Sequence, residues 1–521
     1  MGHGNQGDEI RMKTDTNLRL HELFERRLAT DPHRPFLHTG AEALTFLDLA
    51  RLVDRLESEL RAQRVLAGDR VMAVAENCPE HVALILACSR IGAWSCGANA
   101  RMSRNEIDAF IAKADPRLVY FTTQVSEAAC GHADAWQAGA SVLDGLRRTP
   151  RRDQAVAEPG ELGEQVAAVI FTSGTTGMPK GVMVSHAGLT HFGRISAESR
   201  GLGPDDRSYA YLPMTHIFGL GTVLAASLHA GAGLVMRSKF DPADVFDALA
   251  HQGVTNLQGP PAMFSRLLSW LDEQGIAHPA CPALRYLYTG AAPLDMALKQ
   301  AVERRFGQPL HHGYGLSEYA GALCLVRMGE RRDDLSAGYL VEGAELQIVD
   351  PDGNPMPPGE RGEIWMRGIG LMPGYFRDAD ATASVMRPGG WYASGDLGYV
   401  DGNGALFVVG RIKEMIIRSG FNVYPGEVEA ALTGFPGVRR AAVVGRKQQD
   451  GNEEILAFIE TDTSEGPDLA ALGTHLNAHL APYKRPSRIL RVDALPTTLS
   501  GKILKRSLLD DYAHLLDSGK A

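Results

Sequence analysis

Short apolar runs alternate with helix-like segments along the first four hundred residues. After Thr45, which forms a plausible capping sequence with Asp48, apolar residues recur at helical spacing through Leu60. The run at 71–75 is typical of a buried strand, and a second helix is expected over 79–93. Alternation of this kind predicts a layered α/β architecture.

Three later stretches of the chain depart from this alternation. Residues 125–165 are polar and charged, so we expect a surface connection there. Between 335 and 410, short alternating runs separated by turn residues predict a β-rich subdomain. After Gly410, strand-like runs and a helix opened by Pro425 predict a separate small α+β domain.

These patterns predict an α/β protein with a large N-terminal domain and a small C-terminal one. We expect the large domain to span 1–410 and to contain two layered α/β subdomains and the β-rich subdomain. A hinge is predicted at 411–413, and the small α+β domain at 414–521. The length of 521 residues agrees with more than one domain, because a single core rarely grows past about 300 residues.

Composition excludes several classes of protein. Hydrophobic residues make up 44% and charged residues 22%, which is ordinary globular usage. The formal net charge of −9 argues against a nucleic-acid partner, which usually requires a basic surface. The six cysteines contain no C-x-x-C pair, and no apolar run reaches membrane-spanning length. Because residues 1–9 have no apolar core, we do not expect a signal peptide there. We therefore expect a soluble cytoplasmic protein.

The segment 171–181, with sequence FTSGTTGMPKG, carries the clearest chemistry. It leaves an apolar run at 166–171, and its backbone N–H groups, hydroxyls and single ammonium group suit a polyphosphate. It is not a Walker loop, because Pro179 precedes Lys180 and no Ser or Thr follows the lysine. The segment predicts a nucleoside triphosphate site. Its candidate phosphate contacts are Thr172, Ser173, Gly174, Thr175, Thr176, Gly177 and Lys180.

Four further motifs follow this loop in a fixed order: YGLSE at 314–318, WYASGD at 391–396, Gly410-Arg411 and LSGK at 499–502. Together the five resemble the adenylate-forming (ANL) superfamily, which includes acyl-CoA synthetases, peptide-synthetase adenylation domains and beetle luciferases. The resemblance covers about residues 20–515. It implies that a carboxylate attacks the α-phosphorus of ATP, and that a thiol then displaces AMP.

The resemblance implies a role for several single residues. Lys502 would bridge the carboxylate and the α-phosphate, and Glu318 would bind Mg²⁺ together with Thr176. Tyr314 would face adenine, and Asp396 would accept hydrogen bonds from both ribose hydroxyls. Arg411 would reach ribose or phosphate. Further nucleotide contacts are expected from Gly290, Ala291, Ala292, His312, Gly313, Gly315 and Ser317.

Each role has a structural alternative. Lys502 could be a solvated lysine, Glu318 a helix-start glutamate, Asp396 a turn aspartate and Tyr314 a core tyrosine. The order and spacing of the motifs favour the functional interpretation in each case.

A hinge at Lys413 is also implied by the resemblance. The small domain would rotate there between the two half-reactions. In one arrangement it would present Lys502, and in the other the loop Ser419, Gly420 and Phe421 would face the pantetheine tunnel of CoA. Arg446 and Lys447 could meet the CoA phosphates, or could simply be solvated.

The acid pocket is less clearly marked. The segment 212–219 resembles the one in which a histidine lines the acid site, so His216 is a candidate, although a lone histidine is as often a core residue. No Asp lies at 216–219 to hold an amine, and no Arg or Lys lies between Pro213 and Ala230 to hold a second carboxylate. Both features indicate an apolar monocarboxylic acid, fatty or aromatic. Small residues expected to line the cavity are Gly219, Gly221, Gly259, Ala320 and Gly321.

We therefore expect an AMP-forming acyl-CoA ligase that uses ATP, Mg²⁺ and CoA. One alternative is a stand-alone adenylation enzyme that loads a carrier-protein thiol. A second is a catalytically silent nucleotide-binding protein, and a luciferase-like oxidase is a third. The oligomeric state is open, and a homodimer is compatible with the resemblance.

Overall fold

The computed structural model describes residues 18–40, 43–172, 180–418, 421–448, 452–461, 466–497 and 503–517. Two large sheets form the body of the molecule. The first has nine strands within the described residues, and its central strands are parallel. From edge to edge its strands are Tyr339–Leu340, Gly321–Leu325, Leu310–Leu316, Tyr286–Thr289, Asn256–Gly259, Arg207–Ala210, Gly233–Met236, Pro35–His38 and Ala43–Thr45.

The second sheet has seven strands in the described part of the chain, and its last two strands flank residues 173–179, the predicted phosphate loop. Four of its strands run parallel, and the last pair forms an antiparallel hairpin. Its strands, in spatial order, are Gly139–Ala140, Arg147–Arg148, Leu118–Phe121, Arg70–Ala75, Trp94–Asn99, Val166–Thr172 and Lys180–Ser185.

Helices cover these sheets, as the α/β pattern predicts. Thr45 caps the helix Phe46–Ala62 in a reciprocal arrangement with Asp48, which confirms the start expected from the sequence. The longer helices are Leu20–Thr30, Phe46–Ala62, Pro79–Ile91, Arg104–Ala114, Glu127–Ala135, His186–Glu198, Pro242–His251, Pro261–Glu273 and Met296–Phe306. Gly160–Gln165, Ala226–Ala230 and Ala379–Val385 are shorter, and Phe218–Ala225 is a π-helix.

The β-rich region is present as expected. Its antiparallel sheet contains Ala344–Val349, Gly362–Gly368, Trp391–Val400, Met386–Arg387 and Leu406–Arg411. The C-terminal part then has a hairpin of Ile416–Arg418 with Phe421–Val423 and a sheet of Val438–Lys447, Glu453–Thr461 and Arg488–Arg491. Its helices are Pro425–Thr433, Leu469–His479, Leu508–Asp511 and Ala513–Asp517.

This arrangement confirms the α/β class, with a large N-terminal and a smaller C-terminal part. The C-terminal part has its own apolar clusters, built around residues such as Val443 and Phe458, whereas the largest cluster lies between the two big sheets. Arg361 and Lys484 both pair with Glu427 on the first C-terminal helix, so an ion pair joins the β-rich sheet to that helix. The exact boundaries and the hinge at 411–413 stay predictions.

One expectation was wrong. Residues 125–165 do not form a plain surface connection, because they contain the helix Glu127–Ala135 and two short antiparallel strands that extend the second sheet. The sequence pattern does not predict this helix, because its buried face consists mostly of alanine, with Ala129 and Ala133 fully buried. Over the described residues, no helix is both long and apolar enough to cross a bilayer.

Candidate active site

The phosphate loop lies between two paired strands. Val166–Thr172 enters it and Lys180–Ser185 leaves it, and Thr172 is the register partner of Lys180. Residues 173–179 lie outside the described residues. Thr172 and Lys180 are both half-buried at the mouth of this hairpin, so the sheet places one hydroxyl and one ammonium group where the loop begins and ends.

Lys180 and Glu318 meet through a tyrosine that the motifs did not indicate. The Nζ atom of Lys180 lies 4.5 Å from the ring centroid of Tyr375, a cation–π distance. The hydroxyl of Tyr375 donates to Oε1 of Glu318 at 3.0 Å. Burial and the Glu318 carboxylate raise the pKa of Tyr375, so the phenol stays protonated as a donor. Tyr375 thus contacts the Lys180 ammonium through its ring and the Glu318 carboxylate through its hydroxyl.

Tyr314, Asp396 and Arg411 form a second charged group. The hydroxyl of Tyr314 donates to Oδ2 of Asp396 at 2.6 Å, and Nε of Arg411 lies 3.0 Å from Oδ1. Burial and the Asp396 carboxylate raise the pKa of Tyr314 well above its usual value. Asp396 is only 4% exposed, so its charge is stabilised by these two partners rather than by bulk water.

The antiparallel pairing of the β-rich sheet explains how Asp396 and Arg411 meet. They are direct register partners on Trp391–Val400 and Leu406–Arg411. The Ser394 hydroxyl accepts from the backbone N–H of Asp396 at 3.0 Å, and Glu363 accepts from that of Gly395 at 2.9 Å. The turn before the carboxylate is therefore fixed by side chains on both sides.

The expected adenine segments lie at the ends of neighbouring strands. Gly290 follows Tyr286–Thr289, and Ala291 takes a left-handed backbone conformation with φ of 67°. His312 and Gly313 lie in the adjacent parallel strand Leu310–Leu316. Burial lowers the pKa of His312 to about 4, so this imidazole is neutral at physiological pH.

Gly315 also lies in this strand, which ends beside the short 3₁₀ turn Ser317–Tyr319. Ser317 is buried there, directly before Glu318.

The acid-site segment is clamped to the other large sheet. The side chain of Asn77 donates to the carbonyls of Ala210 and Leu212 at 3.2 and 2.9 Å, and it accepts from Met214 N–H at 3.0 Å. A Cβ added to Gly97 would lie 2.6 Å from Cα of Thr215, so only glycine permits this approach. Residues 210–215, which lead to His216, are therefore held in place by Asn77 and Gly97 of the second sheet region.

His216 and a pair of aromatic rings follow this clamp. Burial lowers the pKa of His216, and its Nδ1 accepts from the backbone N–H of Phe218 at 3.2 Å. The neutral ring therefore carries its proton on Nε2, which is free to act as the donor. Phe218 packs edge-on against Tyr288 with ring centroids 5.8 Å apart. The result is an aromatic group in which the His216 ring and the Tyr288 hydroxyl are both neutral hydrogen-bond donors.

The nearby glycines are closely packed rather than lining open space. A Cβ on Gly219 would lie 2.2 Å from the carbonyl oxygen of Pro213, and one on Gly221 or Gly321 would collide with the ring of Phe192. A Cβ on Gly259 would lie 2.4 Å from the hydroxyl of Tyr211. Their role is to let neighbouring groups approach. Ala320, the remaining candidate, is 2% exposed with φ of 52°.

The candidate residues near the predicted hinge lie at the surface or pair with other protein groups. Lys413 lies in the exposed 3₁₀ turn Ile412–Glu414, and Phe421 is 54% exposed with its ring stacked on Tyr483 at 4.6 Å. Arg446 lies in a strand, not in a loop, and pairs with Glu454 at 2.6 Å, its register partner. Several candidates lie outside the described residues: Ser173, Gly174, Thr175, Thr176, Gly177, Ser419, Gly420 and Lys502.

Comparison with known proteins supports one family. Residues 24–376 match the family model described as AMP-binding enzyme, and 427–502 match the model of the AMP-binding enzyme C-terminal domain. A feruloyl-CoA synthase from Amycolatopsis is 35% identical over 92% of this chain and 96% of its own length. An indoleacetate–CoA ligase from Aromatoleum aromaticum is 32% identical, with 96% and 98% covered.

Solved structures agree over almost the whole chain. ATP-bound MatB from Rhodopseudomonas palustris is 28% identical with a TM-score of 0.82, covering 96% of this chain and all of that one. The amide bond synthetase McbA from Marinactinospora thermotolerans is 27% identical with the same TM-score, and 95% of this chain and all of that one are covered. On its sequence, fold and relatives, the chain belongs to the AMP-binding enzyme family and is an AMP-forming acid–thiol ligase.

Proposed function

We propose that this enzyme converts an aromatic carboxylic acid into its CoA thioester through an acyl-adenylate. The observation that carries the proposal is the edge-to-face pair of Phe218 and Tyr288 beside the neutral His216. Aromatic rings prefer such surroundings to a purely aliphatic groove. Relatives named for ferulate, indoleacetate and 4-coumarate support the same acid class.

The first half-reaction brings two anions together, so the site must supply positive charge in a fixed place. Lys180, at the mouth of the phosphate-loop hairpin, would contact the outer phosphates. Lys502 would bridge the acid carboxylate and the α-phosphate as the bond to the β-phosphate breaks. The carboxylate oxygen then becomes bonded to phosphorus, and pyrophosphate leaves with the electron pair.

Nucleotide recognition would rest on Tyr314 and Asp396. The Tyr314 ring would lie along adenine, while its hydroxyl holds the Asp396 carboxylate. The carboxylate oxygens each have a further lone pair, which suits them to accept from the two ribose hydroxyls. Arg411, already bonded to Asp396, would add positive charge near ribose and phosphate.

The carboxylate of Glu318 fits a magnesium ion shared with substrate phosphates. In the described part of the chain no group of three or more His, Cys, Asp or Glu side chains could hold a metal alone. This agrees with Mg²⁺, which usually takes one or two carboxylates together with phosphates. When bound, the ion would neutralise phosphate charge, and the hydrogen bond from Tyr375 would orient Glu318 toward it.

A panel of acids tests the substrate class. Purified enzyme with ATP and CoA would receive benzoate, phenylacetate, 4-coumarate and ferulate, with acetate, malonate and palmitate as matched controls. We expect AMP release and thioester formation to be fastest with an aromatic acid. Highest kcat/KM with an aliphatic acid would contradict the proposal. Replacing CoA by a holo-carrier protein distinguishes the alternative acceptor.

A half-reaction experiment tests Lys502. Lys502→Ala should reduce acid-dependent pyrophosphate exchange severely, because the bridging cation is lost. Thioester formation from supplied acyl-adenylate should be spared, since that step has no triphosphate to neutralise. Equal loss in both half-reactions would refute the assigned role.

A further inference from the structure

Arg200 is a buried cation outside the motifs. It is 2% exposed, and its four hydrogen bonds to described residues all go to neutral acceptors. Nε donates to the Ser196 carbonyl at 2.7 Å and Nη2 to the Ser196 hydroxyl at 2.9 Å. Nη2 also donates to the Thr222 carbonyl at 2.5 Å, and Nη1 to Oε1 of Gln258 at 3.3 Å. Burying a charged guanidinium is unfavourable even when its N–H groups are hydrogen-bonded. The presence of this arginine in the interior therefore suggests a specific role.

The Thr222 carbonyl belongs to the π-helix Phe218–Ala225, which begins with the ring proposed to face the acid. π-Helices are rare and occur mostly at functional sites, because their wider turn leaves backbone groups displaced from the regular pattern. This one packs tightly on the preceding helix, since a Cβ on Gly193 would lie 3.0 Å from Ala225. Arg200 thus bonds to the element that forms the wall of the acid site.

Gln258 connects the same guanidinium to the sheet. Its side chain is fully buried, and its Nε2 donates to the Tyr209 carbonyl at 2.9 Å. Gln258 is the register partner of Tyr288, so the two side chains lie on the same face of neighbouring parallel strands. Tyr288 is the ring that packs against Phe218. One planar guanidinium therefore contacts both the helix that carries Phe218 and the strand beside Tyr288.

We propose that Arg200 is a positioning residue for the acid pocket, which fixes the spacing of Phe218 and Tyr288 by joining the π-helix to the sheet. The proposal rests on the proposed function, in which these two rings face the acid. The fork of a guanidinium can serve separate acceptors at once, whereas a lysine ammonium offers one compact charge that cannot span them. Loss of the fork should loosen the pocket wall and leave the nucleotide site unchanged.

The test compares Arg200→Lys with a matched control, Arg70→Lys. Arg70 is also fully buried and donates to backbone carbonyls, among them Ala114 at 2.9 Å and Val156 at 2.7 Å. It lies in the other large sheet. We expect Arg200→Lys to raise the KM for the best aromatic acid about tenfold, with the KM for ATP within about twofold. Arg70→Lys should lower the melting temperature but leave both KM values unchanged.

A milder variant covers a failure to fold. Ser196→Ala removes one acceptor of the guanidinium and should raise the acid KM about two- to threefold. The increase should be larger for 4-coumarate than for benzoate, because a longer acid reaches further along the wall.

Unchanged acid KM in Arg200→Lys and in Ser196→Ala would overturn the inference, as would equal rises in the KM values for acid and ATP. Activation of only aliphatic acids by the wild-type enzyme would instead overturn the proposed function. The KM comparison would then be run with whichever acid the wild type uses.

Discussion

Asp396→Asn tests the ribose site most directly. Each Asp396 oxygen already accepts one contact, Oδ2 from Tyr314 at 2.6 Å and Oδ1 from Arg411 at 3.0 Å. About two acceptor positions remain, one for each of the ribose hydroxyls that we propose Asp396 binds. The amide turns one acceptor oxygen into a donor, which removes one charged hydrogen bond of about 1.5–3 kcal/mol and weakens the other. A combined loss of about 3 kcal/mol lowers kcat/KM for ATP about 10²-fold.

The assay is a thermodynamic cycle that combines the protein substitution with removal of one ribose hydroxyl from the substrate. Wild type and Asp396→Asn would each be measured for kcat/KM with ATP, 2′-deoxy-ATP and 3′-deoxy-ATP at saturating acid. In the wild type each missing hydroxyl should reduce kcat/KM about tenfold or more, because one charged hydrogen bond is lost. In the variant one of the two missing hydroxyls should matter little, since its acceptor is already gone, and the other should cost less than in the wild type.

Asp401→Asn is the matched control, because Asp401 accepts backbone N–H groups of its own turn, from Asn403 at 2.9 Å and Ala405 at 2.8 Å. It should leave the nucleotide kinetics unchanged. If removing a ribose hydroxyl lowers kcat/KM by the same factor in Asp396→Asn as in the wild type, the carboxylate does not bind ribose.

Three further predictions concern other parts of the chain. Tyr375→Phe removes the hydrogen bond to Glu318 and should raise the Mg²⁺ concentration for half-maximal rate about three- to tenfold; an unchanged Mg²⁺ titration would contradict it. Gly97→Ala should lower the free energy of unfolding, measured in urea, by about 1–3 kcal/mol, because the added Cβ would overpack against Thr215. Gly139→Ala should leave it unchanged, because nothing lies within 4 Å of the added Cβ. Burial lowers the pKa of His186 to about 3 from 6.5, so the unfolded chain binds more protons at acid pH and stability falls as pH drops below 6.5. His186→Asn should reduce the slope of unfolding free energy between pH 6 and pH 4 by about 1.4 kcal/mol per unit, and identical slopes would exclude this linkage.

Much of the fold could be predicted because its signals are local. Thr45 and Asp48 mark a helix start within four residues, and Pro425 opens the first C-terminal helix as expected. Tyr314 and Asp396 could be predicted as one site only because their motifs resemble a known family. They are 82 residues apart, and nothing in the local sequence says that they meet.

Asn77 and Tyr375 show what could not be predicted. Asn77 follows a strand and resembles any turn residue, but its acceptor Leu212 lies 135 residues further on, just after the strand Arg207–Ala210 of the other large sheet. Tyr375 reaches Glu318 across 57 residues. A single polar residue gives no sign of a distant partner, because that pairing depends on how the two sheets pack. The helix Glu127–Ala135 was missed for a simpler reason, since alanine marks a buried face only weakly.

The register of the phosphate-loop hairpin has a consequence for recombination. Thr172 and Lys180 are paired, and Phe171 is paired with Gly181 behind them, so both ends of the intervening seven positions are set by the sheet. A segment of equal length from another adenylating enzyme could be grafted between these two anchors without disturbing the strands. Under the proposed function, chimaeras of this kind should change the affinity for ATP and leave the choice of acid unchanged.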